Sequence, residues 1–172
     1  ANLFHLLRRQ LARPFRKPLI LMTPKSGLRH PEFVSPLNDF ETGTRFREVI
    51  DDAAAKATQV KTLLLCTGKI YYDLLENKRT DQRDDVAIVR VEQLYPLPEK
   101  QLGAIFKKYG KATVRWVQEE PANMGSWMYL LFHFCGKKQM ELISREAAAS
   151  PAIGYKKTHD EQQADVVRRA FE

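Results

Sequence analysis

The sequence predicts an α/β protein of three layers, a mostly parallel sheet with helices on both faces. Two observations predict it. Short runs rich in Val, Ile and Leu alternate with helix-length amphipathic segments in the order strand, helix, strand, helix, which indicates βαβ units and a parallel sheet. The strand-like runs Val60–Cys66 and Val86–Val91 are also apolar at nearly every position, the pattern of strands covered on both faces. At 172 residues the chain suits one domain, or one domain with part of another.

Taken in order, Asn2 is expected to cap an amphipathic helix over 3–11, which ends at Arg13-Pro14-Phe15-Arg16-Lys17-Pro18 because a proline restricts the residue before it. Leu19-Ile20-Leu21-Met22 reads as a short buried strand, and 23–38 as a polar linker or wrap-around loop. Residues 40–50 form a short, partly amphipathic element, and the Ala- and Asp-rich stretch 51–59 a surface connection. Three strand–helix units follow. They are 60–66 with a helix from Lys69 to Asn77, 86–91 with a helix from Pro98 to Tyr109, and 113–117 with a helix from Ser126 to Phe134. Residues 141–145 suit a last strand and 160–171 a closing helix, giving about five strands in which the one near Val60 pairs with the one near Val86. The first helix and strand lack neighbours to cover them, so the chain reads as a fragment.

The net charge of +7 belongs to one end. Arg8, Arg9, Arg13, Arg16, Lys17, Lys25 and Arg29 precede the first acid, Glu32, and the remainder is neutral. So short a basic segment, rich in Leu and Phe, suits packing and anion binding better than a nucleic-acid face. No run approaches the ~18 apolar residues of a membrane span, and the arginines after Leu7 do not suit a signal peptide. Neither nucleic acid nor membrane is an expected partner. Cys66 and Cys135 lie far apart in apolar runs and read as reduced, buried thiols of an intracellular protein.

Trp116-Val117-Gln118-Glu119-Glu120-Pro121-Ala122-Asn123-Met124-Gly125-Ser126-Trp127 is the most informative stretch. An apolar strand stops at two carboxylates, Pro121 ends it, and Asn123 and Gly125 provide a turn before the next helix. Polar residues at the carboxyl ends of buried strands are where open α/β sheets keep ligands or partner contacts, which makes Glu119, Glu120 and Asn123 a candidate interface edge. Glu119 and Glu120 point to opposite faces, so partner contacts or an ion pair with arginine suit them better than a shared acid/base role. Thr67-Gly68-Lys69 stands where a strand turns into a helix; a tight turn with an exposed lysine is the simpler expectation, and a phosphate site the alternative. It is not a Walker A loop, since Ile70 follows the lysine. His5, His30, His133 and His159 have no metal-ligand spacing, and no nucleophile elbow or Cys/His pair is present. Arg90, Glu92 and Gln93 converge with Lys69 and Glu119 on one sheet edge.

Several blocks together resemble the first, thiamine-diphosphate-dependent decarboxylating component of 2-oxoglutarate dehydrogenase. They are Phe4-His5-Leu6-Leu7-Arg8-Arg9-Gln10, Arg16-Lys17-Pro18-Leu19-Ile20, Met22-Thr23-Pro24-Lys25-Ser26, Leu28-Arg29-His30-Pro31 and Gly68-Lys69-Ile70-Tyr71-Tyr72-Asp73-Leu74. The stretches 85–96, 116–125 and 149–152, with His159 and Glu161-Gln162, complete the set, while 140–148 fits more loosely.

The resemblance implies a transketolase-like architecture, with residues 1–30 as the tail of a pyrimidine-binding domain and 31–172 as a transketolase-like C-terminal domain. It implies that the parent decarboxylates 2-oxoglutarate on thiamine diphosphate and Mg2+ and succinylates lipoamide in the tricarboxylic acid cycle. The parent would be a homodimer on a dihydrolipoyl succinyltransferase core, in the bacterial cytoplasm or the mitochondrial matrix. No catalytic, cofactor-binding or metal-binding residue of the family falls on a position of this chain, so the fragment alone is expected to be inactive. Dimer and complex assembly are its expected contribution. The alternatives are a regulatory module binding a nucleotide or acyl-CoA and a purely structural dimerisation domain. The candidate anion site, between the N-terminal segment and the sheet edge, is Arg9, Arg47, Lys69, Arg90 and Gln93, with Lys69 at a helix N-terminus; some members of the resembling family carry an acyl-CoA or AMP effector site in this part of the molecule. The competing expectation is that these cations pair with Asp and Glu.

Overall fold

Val49–Ile50 (β1), Thr62–Cys66 (β2), Val86–Val91 (β3), Thr113–Pro121 (β4) and Glu141–Arg145 (β5) form one sheet in the computed structural model, which describes residues 1–172. The strand order is β1-β3-β2-β4-β5. β2 runs parallel to both β3 and β4, and β4 parallel to β5; only β1 is antiparallel. The helices are Asn2–Ala12 (α1), Ile70–Thr80 (α2), Glu99–Lys108 (α3), Trp127–Phe134 (α4) and Lys156–Ala170 (α5). The expected fold class holds, including the pairing of the Val60 region with the Val86 region.

The chain forms two units, residues 1–48 and residues 49–172. In the second, period-two alternation of side chains splits the core into two layers. Leu63, Leu65, Val89, Val91, Val114 and Trp116 face Leu102 and Ile105 of α3 and Leu130 and Phe134 of α4. Leu64, Cys66, Ile88 and Val117 face Ile70 and Leu74 of α2 and Val166 and Ala170 of α5. Central β2 is buried from Leu63 to Cys66 because both of its faces are covered.

In α2 and α3 the charge placement agrees with the helix's polarity. Asp73 and Glu99 lie in the first turns of α2 and α3, and Lys78, Arg79, Lys107 and Lys108 in their last turns, where the macrodipole favours each sign. The carboxyl end of α5 is tied to the sheet by two arginines. Arg83 donates to the Phe171 carbonyl at 2.8 Å while pairing with Asp85, and Arg115 donates to the Ala170 carbonyl at 3.1 Å while pairing with Glu141.

In the first unit the imidazole of buried His5 sits 2.7 Å from the Asp39 carbonyl through Nε2 and 3.2 Å from the Arg8 guanidinium through Nδ1. The acceptor carbonyl fixes the proton on Nε2, leaving Nδ1 to accept from Arg8. Asn2 does not cap α1. It lies inside the first turn, with Ala1 at the cap, and exchanges two hydrogen bonds with the Arg47 backbone at 3.0 and 2.9 Å.

Other expectations are corrected. Leu19-Ile20-Leu21-Met22 forms no strand, and its residues are exposed by 36%, 81%, 39% and 91%. An all-apolar run signals burial only where neighbouring strands supply the ladder, and the first unit contains none. Residues 40–50 hold the end of a 3-10 turn (Leu37–Phe40) and β1 instead of one amphipathic element. β4 does not stop at the carboxylates; it passes through Glu119 and Glu120 to Pro121, with a register irregularity between Val117 and Pro121. Cys135, just past α4, is exposed. Cys66 is buried, and burial pushes its thiol up to about 12, so it stays protonated and unreactive.

The stretch 51–59 is more than a surface connection. Asp51 accepts from the Tyr109 hydroxyl at 2.9 Å and from Lys108 at 2.5 Å. Asp52 accepts from Lys78 at 2.6 Å and from the Ile88 amide at 3.1 Å, joining α2 to the sheet.

Candidate functional site

The strand order reverses between β2 and β4, since the chain goes from β2 to β3 on one side and then to β4 on the other. The carboxyl ends of β2 and β4 therefore flank the crevice where open α/β sheets bind ligands. Gly68 (φ +76°) turns the chain from β2 into α2, a conformation open to glycine and costly with a side chain. The turn places Lys69 against Glu119 of β4 in an ion pair across the switch point, both side chains partly buried. Glu119 and Glu120 do diverge: Glu120 is exposed and makes no ion pair within the chain.

Arg90, at the end of β3, has its own carboxylate, Glu92, at 2.8 Å, and its guanidinium lies 4.7 Å from the centre of the Tyr71 ring. Burial alone would lower its pKa, but Glu92 and the tyrosine hydroxyls outweigh burial and raise it. The Gln93 amide donates to the Pro96 carbonyl at 2.7 Å. Asn123 holds the loop after β4 by exchanging hydrogen bonds with Ala148, 3.0 Å to its carbonyl and 3.1 Å from its amide. In the first unit Arg47 pairs with Asp39 at 2.7 Å, and Arg9 stacks on Phe46 with 4.0 Å between guanidinium carbon and ring centre. Lys69, Arg90 and Arg47 thus each hold a carboxylate of their own unit.

Residues 116–127 owe their pattern to one side chain that composition does not single out. The Gln118 side chain is 2% exposed. Its Oε1 accepts from the Trp116 indole at 2.9 Å, and its amide donates to the carbonyls of Pro121 at 3.1 Å and Met124 at 2.8 Å. Gly125 lies against it at φ +72°, where an added Cβ would stand 3.0 Å from the Gln118 amide. Gln118 therefore closes the 121–125 loop onto the sheet. The sequence signal was its place on the same face of β4 as Val114 and Trp116, two residues apart each time.

A second brace was also not foreseen. Arg145, at the end of β5 and 7% exposed, reaches Nδ1 of His159 at 2.9 Å and Oε1 of Gln163 at 3.2 Å, and Gln163 donates to Asp73 of α2 at 2.7 Å. It links β5, α5 and α2. No group of three or more His, Cys, Asp or Glu is arranged to hold a metal ion. No helix is long and apolar enough to cross a membrane.

This three-layer α/β sheet is transketolase-like in fold. The chain superposes on a split-gene transketolase, titled an inactive β4 tetramer, with a TM-score of 0.54 at 12% identity, over 77% of this chain and 43% of that one. The match shows the fold. Residues 34–171 match the 2-oxoglutarate dehydrogenase C-terminal family model, and the chain belongs to that family. It is 45% identical to the 2-oxoglutarate dehydrogenase E1 component of Cupriavidus necator, over 99% of this chain and 18% of that protein. It is 43% identical to the E1 component of Azotobacter vinelandii, over 99% of this chain and 19% of that protein. The mitochondrial 2-oxoglutarate dehydrogenase of Caenorhabditis elegans is 40% identical, over 99% and 18%. The chain spans less than a fifth of the length of these relatives.

Proposed function

We propose that this chain is the C-terminal portion of the component that decarboxylates 2-oxoglutarate and passes the succinyl group to lipoamide on a dihydrolipoyl succinyltransferase core. Within that parent, residues 1–30 are the tail of the pyrimidine-binding domain, and 31–172 the C-terminal domain that contributes to dimer and complex assembly. The parent works in the bacterial cytoplasm or the mitochondrial matrix, according to its source. The observation that carries the reading is identity of 45% across 99% of the chain to an E1 component, together with a family model defined on that component's C-terminal region.

The parent's thiamine diphosphate and Mg2+ do not fit the residues present. No carboxylate cluster is built for a divalent cation, and the one lysine at a strand–helix turn of the switch point is held by Glu119. The chemistry belongs to parts of the parent outside this chain, and what this chain supplies is a braced sheet edge. Assaying the full-length parent for CO2 release tests the reading. Turnover of 2-oxoglutarate that depends on thiamine diphosphate and Mg2+ is expected. A parent that prefers another 2-oxo acid, or that needs no thiamine diphosphate, contradicts it.

A regulatory reading is supported by one further feature. The first unit contains a cleft of about 290 Å3 whose lining includes Arg8, Arg9, Arg45, His5 and Phe46 together with one acid, Glu48. Burial lowers the pKa of Arg9, with Arg13 adding to the effect and Glu48 opposing it. Among the candidate anion residues Arg9 lines this cleft, and it already has partners within the chain, the Phe46 ring among them, that a ligand would have to displace. Titrating the full-length parent with acetyl-CoA and AMP, before and after Arg9→Ala, tests it. Binding weakened at least about tenfold is expected, the loss of one charge-assisted contact. Unchanged binding, or none to begin with, removes the effector role.

A further inference from the structure

Arg145 is the one buried lysine or arginine of the chain. The less buried cations Lys69, Lys78, Arg83, Arg90 and Arg115 each hold a carboxylate. Arg145 holds none. Its Nη2 donates to Nδ1 of His159 and Oε1 of Gln163, while Nε is buried without a hydrogen-bond partner. Asp73 stands one hydrogen bond further out, beyond Gln163, and does not touch the guanidinium. A buried cation that gives up its hydration needs an opposite charge in contact, and here the chain provides no such contact.

The start of α5 beside it has the same deficit. An arginine only donates, so Nδ1 of His159 accepts and the proton of the neutral ring stands on Nε2. α5 opens on Lys156 and Lys157, with no acid in its first turn and no side-chain cap, whereas α2 and α3 carry Asp73 and Glu99 there. The next acids, Asp160 and Glu161, are taken by those two lysines. Free amide N–H groups at a helix start favour negative charge, yet the chain sets cations against them. The orphaned Nε and the uncapped helix start are independent observations, and both are answered by an anion. We propose that Arg145, His159 and the first turn of α5 form a binding site for a small oxyanion, the phosphate or carboxylate group of a metabolite. Guanidinium geometry matches either group, and half-buried His159 leaves the site open to solvent at its edge. The site shares no residue with the arginine cleft of the first unit, and it rests on no reading of the parent's activity.

Titrating the 172-residue chain with inorganic phosphate, and separately with acetate, tests the site by NMR, with chloride holding the ionic strength constant so that screening does not change. Saturable shifts of the Arg145 Nε–H and of the Lys156, Lys157 and Thr158 amides, half-complete on the order of 1 mM, are expected with at least one anion. A response to phosphate alone assigns a phosphoryl ligand, and a response to acetate alone a carboxylate. Arg145→Met is expected to weaken binding about tenfold or more, the loss of a charge-assisted contact. His159→Leu, at a half-buried position, is expected to weaken it about threefold or more, the net loss of one hydrogen bond, and it decides the matter if Arg145→Met does not fold. No saturable shift with either anion overturns the site, and so does binding that survives either substitution unchanged.

Discussion

Replacing Gln118 with leucine is expected to lower the unfolding free energy by about 3–5 kcal/mol with little change in side-chain volume. The substitution strands the Trp116 indole N–H inside the core and removes the donor to the Pro121 and Met124 carbonyls. A buried polar group left unpaired costs roughly 1–3 kcal/mol, and water at the loop can relieve the carbonyls more readily than the indole. Because the 121–125 loop is held by this amide, its backbone should also exchange hydrogen faster in the variant. Urea denaturation monitored by tryptophan fluorescence measures the first effect. A loss under about 1 kcal/mol means that Gln118 is a bystander and that another contact closes the loop.

Asp52→Ala is expected to destabilise by a similar amount, about 3–5 kcal/mol, because it leaves the Lys78 ammonium and the Ile88 amide without their acceptor. Both side chains of the pair are only 11% exposed, so solvent screens it weakly. Burial by itself would push the Asp52 carboxyl up, but the bonds from Lys78, Ile88 and Ala54 outweigh burial and hold it below the ordinary carboxylate range. A carboxyl with a depressed folded pKa contributes its stability above the unfolded value and loses it as pH falls through the folded one. Stability should therefore be steady above roughly pH 4 and decline on the acid side. Asp52→Asn keeps an acceptor for Ile88 but not the charge, and should fall between Ala and the original with a shallower acid slope. If the acid slope is the same with and without the carboxylate, the ion pair is not the source of the dependence.

The sheet was legible because its code is local. Leu63-Leu64-Leu65-Cys66 and Val86-Ala87-Ile88-Val89 are continuous apolar runs that need cover on both faces, and α2, α3, α4 and α5 supply it. The ion pair of Lys69 and Glu119 was half legible: both residues were placed on the same edge, but only the parallel register of β2 with β4 makes them partners. What was not legible depends on contacts distant in sequence. Asp52 reads as one more acid in a polar connection until β1 lies antiparallel to β3 and brings it to the Ile88 amide. Leu19–Met22 has the composition of a strand, and composition cannot say whether a neighbouring strand exists. Cys135 sits in a helix-like apolar run with two apolar faces, so its sequence context could not tell the buried side from the exposed one.

The central claim is that the chain supplies structure to a decarboxylase whose chemistry resides elsewhere in the parent. Adding thiamine diphosphate, Mg2+ and 2-oxoglutarate to the purified 172-residue chain and measuring CO2 release tests that most directly. The account predicts release no faster than in buffer alone, under conditions in which the full-length parent turns over; release above the buffer rate, abolished by omitting thiamine diphosphate, would contradict it.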